Sequence, residues 1–337
     1  MSLYCAIDLH STNNVPVVID DNDNILFQKR LPNDLPKVIS ALEPFKDDLI
    51  GVAVESTFNW YWLVDGLDDH QFNTLLVNPA AVKQYDGIKH TDDYSDAFHL
   101  AHLMRLGILP TGYIYPKEER AVRDLLRKRL QMVRHRVTHM LSAQNQIWRT
   151  TGMNVTSTPI KQADFSLLNM IDDKHVKMAI KSNLMMIHAL NQQVDELENT
   201  VLNQVKLKPE FLSLLTSDGI GKILGMTIML EVGDIHRFPS VGNFSSYARC
   251  VDSSRISNGK KKGANNHKNG NKYLSWAFVE AAHSIIRHNK TAHKFYQRKR
   301  AQRNGALATK ALAHKLARAA YHVIRKQEPF QHERLFR

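Results

Sequence analysis

The stretch "CAIDLHSTNNVPVVIDD" (residues 5–21) carries two apolar runs, one ending at Asp8 and one resuming at Val15. Their spacing predicts two β-strands joined by a short polar connection. Asp8 closes the first of them, where a buried carboxylate needs a partner because leaving it alone is costly. Its neighbours therefore decide what the fold is for.

Working outward, "LYCAIDL", "VPVVIDD" and "ILFQKRL" read as three strands, with the turn residues "DDNDN" between the last two. A short helix is expected over 34–45, and then a buried strand, "LIGVAVEST". A helix, "NWYWLVDGLDDH", a strand, "FNTLLVNP", and a helix from about Asp92 to Leu106 complete the pattern. Three antiparallel strands followed by alternating helices and strands predict a mixed α/β sheet. If the first and fourth strands are neighbours, Asp8 and Glu55 lie side by side. In "HTDDYSDAFHLAHL", Asp93 and Asp96 share one helix face at i, i+3. Four converging carboxylates repel one another unless a cation sits between them, and hard oxygen donors suit Mg²⁺ or Mn²⁺ rather than zinc. Taken singly, each acid reads more readily as a helix cap or a surface charge than as a ligand.

The 337 residues allow two or three domains, and a hydrophobic content of 43% is ordinary for a soluble protein. No segment approaches the roughly 20 apolar residues of a membrane span. The start of the chain has no basic segment followed by an apolar one, so the reading is cytoplasmic rather than secreted. Cys5 and Cys250 fit a reducing compartment and show no metal-site spacing. Charge is unevenly distributed. Residues 1–100 hold sixteen Asp/Glu against six Lys/Arg, whereas 255–310 hold fourteen Lys/Arg and only Glu280 as an acid, in a chain of net charge +12. An acidic module joined to one that engages a polyanion accounts for this, and nucleic acid fits better than lipid, since no single amphipathic face collects the cations.

Two long helices are predicted, about 118–148 and 174–206, each with three/four apolar spacing. They read as a coiled-coil hairpin, packed within one chain or forming a dimer seam. Beyond Pro209, "LLTSDGIGKILGMTIMLEVGDIHRF" places a Gly-Ile-Gly turn between short helices, similar to helix-hairpin-helix elements whose backbone N–H groups meet phosphates. "SSRISNGKKKGANNHKNGNK" reads as a polar loop, followed by a helix from Tyr273 to about His288.

On "AIDLH", "VEST", "TDDYSDAFHLA", "SDGIGKILGMTIMLEVGDIHRF" and "SNGKKKGANNHKNGNKYL", the chain resembles transposases of the insertion-sequence-110 type. These pair an N-terminal RuvC-like (RNase H-like) DEDD domain with a C-terminal serine-bearing domain. The resemblance implies a mixed sheet at 1–112, a coiled-coil helical region at 113–206 and a mainly helical serine transposase domain at 207–337. It implies a metal site of Asp8, Glu55, Asp93 and Asp96, with Asp93 preferred to Asp92 by the D-x-x-D spacing. Aligning "GNKYL" and counting back makes Ser257 the DNA nucleophile, with Ser253 and Ser254 as close competitors. Asn258 stands where the family has the first glycine of Ser-Gly-Gly, and "ARCVDSS" replaces the usual Gly-(Leu/Val)-x-Pro.

The resemblance further implies DNA as substrate, an element-encoded guide RNA, a homo-oligomer (dimer or tetramer) and a bacterial cytoplasmic setting at the nucleoid. Lys260, Lys261, Lys262, Lys268 and Lys272 are candidate phosphate contacts near the serine. Arg123, Arg127, Lys128, Arg129, Arg134 and Arg136 are candidates on the long helix. A site-specific DNA invertase of the pilin-inversion type, a metal-only nuclease or junction resolvase, and a non-catalytic nucleic-acid binder stay open as alternatives.

Overall fold

The apolar runs flanking Asn13 and Asn14 form Leu3–Leu9 (β1) and Asn13–Ile19 (β2), paired antiparallel. In the computed structural model the described residues are 1–82, 92–251, 255–263, 269–331 and 335. The expected third strand is interrupted, giving Ile25–Gln28 (β3) and Leu31–Pro32 (β4), each against β2. Leu35–Leu42 (α1), Leu49–Glu55 (β5), Tyr61–Asp69 (α2), Thr74–Val77 (β6) and Asp93–Arg105 (α3) follow. The sheet order is β3-β2-β1-β5-β6, with β1, β5 and β6 parallel. This mixed sheet is consistent with the expected RNase H-like architecture.

Strand alternation gives the sheet two faces. Ile7, Leu9, Val52 and Val54 pack with Val38, Leu42, Leu63 and Leu67 of α1 and α2. Ala6, Val17 and Ala53 pack on the other face with Ala97, Leu100, Ala101 and Met104 of α3. Ala6 and Ala53 are register partners, and their small side chains leave room for α3 to lie close over β1 and β5. Asp8 and Glu55 lie two residues beyond these alanines on the same face, so they emerge beside the start of α3.

The chain divides into two compact units, Met1–Lys117 and Glu118–Arg337. The second is helical: Lys117–Thr151 (α4), Ser157–Lys161 (α5), Lys174–Val205 (α6), Pro209–Leu215 (α7), Lys222–Val232 (α8), Val241–Tyr247 (α9), Lys272–His288 (α10), Lys290–Gln302 (α11) and Gly305–Lys326 (α12). Helices α4 and α6 form an antiparallel hairpin, with Arg129 on Glu198, Arg136 on Asn191 and His139 on Asn183. The apolar row on α4 does not stay inside: Leu126 and Leu130 are buried, whereas Val137, Leu141 and Trp148 are 43%, 53% and 55% exposed.

The segment read as a polar loop contains instead a small hairpin, Arg255–Ser257 (β7) paired with Lys260–Gly263 (β8). Its turn residues Asn258 and Gly259 have φ of 49° and 67°, the combination a type I′ turn demands and Asn-Gly favours.

A buried carboxylate ties this unit together. Glu231 of α8 receives two hydrogen bonds from Arg127 of α4, both 2.7 Å, and one of 2.7 Å from the Asn271 side-chain amide. Asn271 also caps α10 through the Tyr273 and Leu274 amides. Removing one partner of such a pair leaves a charge stranded in low dielectric. Arg127→Met should therefore lower the unfolding free energy of the full chain by roughly 3 kcal/mol, the low end for a buried pair because Arg127 remains partly exposed. Arg127→Met combined with Glu231→Met should regain most of it in urea denaturation. A single-variant cost below about 1 kcal/mol would show the pair to be structurally idle.

Candidate metal centre and nucleic-acid interface

Three elements bring the acidic residues of the first unit together. The parallel register that pairs Ile7 with Val54 sets Asp8 and Glu55 next to each other at the ends of β1 and β5. Helix α3 supplies Asp93 and Asp96 from its first turn, where carboxylates also suit the helix dipole. Asp92 is not in this set by role: it caps α3, accepting from the Ser95 amide at 2.8 Å in a capping box. At its other end α3 is fastened by Asp23 of the β2–β3 turn, which accepts two 2.6 Å hydrogen bonds from Arg105 and lies 2.9 Å from His102 Nδ1. A helix held at its far end by a bidentate ion pair delivers its first-turn acids at a defined position.

Asp8 is buried, at 4% exposure. Glu55 shares a hydrogen bond with it, and burial, that bond and the charges of Asp8 and Asp96 push the Glu55 carboxyl from its ordinary 4.5 up to about 7. Burial and the charges of Asp8, Asp93 and Asp92 likewise raise Asp96. The structure thus gathers all four acids into one like-charge cluster.

Two residues that the sequence reading passed over belong to it. His10 Nε2 lies 3.1 Å from Asp8 Oδ2 and 3.3 Å from Asp93 Oδ1. This nitrogen is enclosed yet hydrogen-bonds to neither oxygen, so those distances reflect proximity rather than a formed bond. Arg30 donates to Asp93 Oδ2 at 2.5 Å and to Asn13 Oδ1 at 2.9 Å. The signal for His10 was present, since it follows Asp8 by two along an extended chain and falls on the same side. For Arg30 there was none, because its approach depends on where β3 ends.

One ligand atom each from Asp8, His10 and Asp93 lies within 4.8 Å of the others. Carboxylate oxygens, an enclosed imidazole nitrogen without a hydrogen bond and an acid whose proton is held more tightly by burial and neighbouring charge fit a divalent cation. The oxygens suit Mg²⁺ or Mn²⁺, and the imidazole favours Mn²⁺.

In the second unit the cations sort into two groups. Arg127 is bound to Glu231, Arg129 to Glu198 at 2.6 Å, Arg123 to Asp124 at 3.5 Å, and Arg136 donates to Asn191 at 2.8 Å. These four of the long-helix candidates are engaged within the unit, while Lys128 and Arg134 are exposed. Lys128 and Arg134 line an open groove of about 390 Å³ with Gln131 and Tyr273, and the exposed Lys272 sits 5.2 Å from the centre of the Tyr273 ring. Ser257 is exposed at the end of β7, opposite Lys260, with Lys262 exposed on β8. Ser253, Ser254, Lys268 and the side chain of Lys261 lie outside the described residues. No described helix is long and apolar enough to cross a membrane.

Two family models match this chain: a transposase model of the DEDD, IS110 type over residues 5–149, and the transposase IS116/IS110/IS902 family over 213–297. The first spans the whole acidic cluster and the second the serine hairpin. The chain belongs to the IS110/IS116/IS902 family of transposases. It is also similar to an insertion element IS110 uncharacterized 43.6 kDa protein of Streptomyces coelicolor, at 25% identity over 146 residues. That alignment covers 43% of this chain and 35% of the relative, so the chain matches about a third of the relative's length.

The raised Glu55 carboxyl has a consequence for stability. The folded state binds its proton more tightly than the unfolded chain does. Metal-free protein should therefore lose stability as pH rises from 4.5 to about 7, with the full penalty present above that range. Thermal melts in chelator should show this fall. Glu55→Gln should flatten it, and Mn²⁺ should reverse it in the wild type but not in Asp8→Asn. A wild-type curve parallel to that of Glu55→Gln from pH 4.5 to 7 would refute the account.

Proposed function

We propose that this chain is a DNA transposase of a mobile element that cuts and rejoins strands through Ser257, assisted by a divalent cation held on Asp8, Glu55, Asp93 and Asp96. The observation that carries the reading is the gathering of four carboxylates and His10 at the ends of β1 and β5 in a chain of this family. When bound, the cation polarises a phosphate and neutralises charge developing on it. Asp8, Glu55, Asp93 and Asp96 would hold it, with His10 as a further ligand, and its charge would offset their mutual repulsion. Arg30 keeps one Asp93 oxygen fixed and brings positive charge to the rim of the site.

Ser257 carries the covalent part of the reading. Its hydroxyl stands exposed beside Lys260, whose charge favours an approaching phosphate. Attack by Oγ forms a bond to phosphorus as the bond to the departing strand oxygen breaks. The serine proton leaves through a base, and the departing oxygen takes one up. The resulting phosphoserine ester retains the energy needed for rejoining, so no high-energy cofactor is required. Lys128, Arg134, Lys272 and the Tyr273 ring form a second polyanion surface, suited to the guide RNA that the family resemblance implies. The exposed Val137, Leu141 and Trp148, at i, i+4 and i+11 on α4, support pairing of protomers through the helical hairpin.

On a suicide substrate that cannot religate, wild-type protein should form a protein–DNA adduct stable to denaturant and high salt. Ser257→Ala should abolish the adduct with binding nearly unchanged. Cleavage by Ser257→Ala at near wild-type rate, releasing free ends, would make water the nucleophile and the enzyme a metal-only nuclease. Polynucleotide binding should also be steeply salt-dependent: with six to ten phosphates neutralised, affinity should drop about 10³–10⁵-fold between 50 and 200 mM salt. Binding insensitive to salt across that range would remove the electrostatic basis of the reading.

A further inference from the structure

Helix α12 carries a basic row that neither family model reaches. Lys315, Arg318, His322 and Lys326 recur along α12 at i, i+3, i+7 and i+11, so they share one side of the helix. All four line an open cleft of about 550 Å³. Its opposite wall is the chain after α12. Gln327 takes a left-handed φ of 54° and reverses the backbone. The amide of Phe330 then donates to Thr216 Oγ1 at 2.7 Å, and the Phe330 ring is buried in the core of the unit. The wall is therefore anchored, and Val323 and Phe330 give the cleft an apolar side.

Lys315 donates to the Leu335 carbonyl at 2.8 Å and lies over the Phe295 ring. Among the described residues, Arg318, His322 and Lys326 form no ion pair, although Glu328 also lines the cleft. Burial and then the charges of Arg318 and Arg298 lower Lys315. Burial and then Lys326, Arg318 and Arg325 lower His322. Like charges crowded in this way favour a bound anion.

The dimensions select the anion. Eleven residues of helix extend about 16 Å, too long for one small phosphate and matched to several consecutive phosphates of a strand. A cleft of this volume has no room for a duplex, while its apolar side suits sugars and base edges. We propose that the cleft between α12 and the segment 328–331 binds single-stranded nucleic acid, with the phosphates on Arg318, His322 and Lys326 and the sugar–base side against Val323 and Phe330. This deepens the polynucleotide-binding part of the proposed function and is independent of the serine chemistry.

The test uses the full chain with a labelled single-stranded oligonucleotide and a duplex of equal length. Arg318→Ala/Lys326→Ala should weaken single-strand binding about tenfold at low salt and reduce its log–log salt slope by about 1.4, two cations at about 0.7 each. Duplex binding should hold, and Arg318→Lys should retain the wild-type slope. Both side chains are exposed, so an unchanged melting curve will certify the fold. Equal losses for strand and duplex, no loss for either, or displacement of the strand by inorganic phosphate at matched ionic strength would each overturn the proposal. Ser257→Ala should leave this binding intact. A wild-type protein that binds the strand here yet forms no adduct would sink the serine mechanism alone.

Discussion

Everything proposed for the first unit depends on one pairing, the parallel register of β1 with β5. Because Ala6 faces Ala53 and Ile7 faces Val54, Asp8 and Glu55 reach the strand ends together, on the face covered by α3. A shift of one residue would send one carboxylate to the opposite face. The alanines matter as much as the acids, since larger side chains there would lift α3 and withdraw Asp93 and Asp96. The cluster is held together against its own repulsion by burial of the surrounding apolar residues, with Arg30, His10 and His99 among the positive or potentially positive groups beside it.

In the second unit the same electrostatic logic sorts the arginines. Placed along a helix that packs against others, a guanidinium either finds an acceptor, a carboxylate for Arg127 and Arg129 and an amide oxygen for Arg136, or stays at the surface, because an unpaired one is costly to bury. Arg127 found Glu231, and that pair joins α4 and α8 while Asn271 extends the connection to the cap of α10. The cations left exposed are the ones whose charge is available to a partner.

How much of this was legible beforehand follows from the range of each interaction. Asp8 and Glu55 could be read because strands alternate, and Asp93 and Asp96 because helices repeat; both are local rules. His10 obeyed the same local rule and was missed because it sat in a stretch read as a connection. Arg30 could not be found from local pattern, since its contact with Asp93 spans 63 positions. The fate of Arg123, Arg127, Arg129 and Arg136 was likewise hidden, because composition counts charges without naming their partners. The β7–β8 hairpin was legible in principle from Asn258-Gly259, but a lysine-rich sequence of low apolar content disguised it as loop. Helices α11 and α12 went unread for want of any motif to draw attention to them.

The turn at Asn258 and Gly259 carries a lesson about how such a segment is recognised across relatives. What the hairpin requires after Ser257 is two consecutive residues able to hold positive φ, and asparagine meets that condition at its first place nearly as well as glycine. The Ser-Gly-Gly expected from the resemblance and the Ser257-Asn258-Gly259 present here would meet the same conformational requirement. Divergent members would be better sought by pairs drawn from glycine, asparagine and aspartate behind a strand-ending serine than by the literal letters.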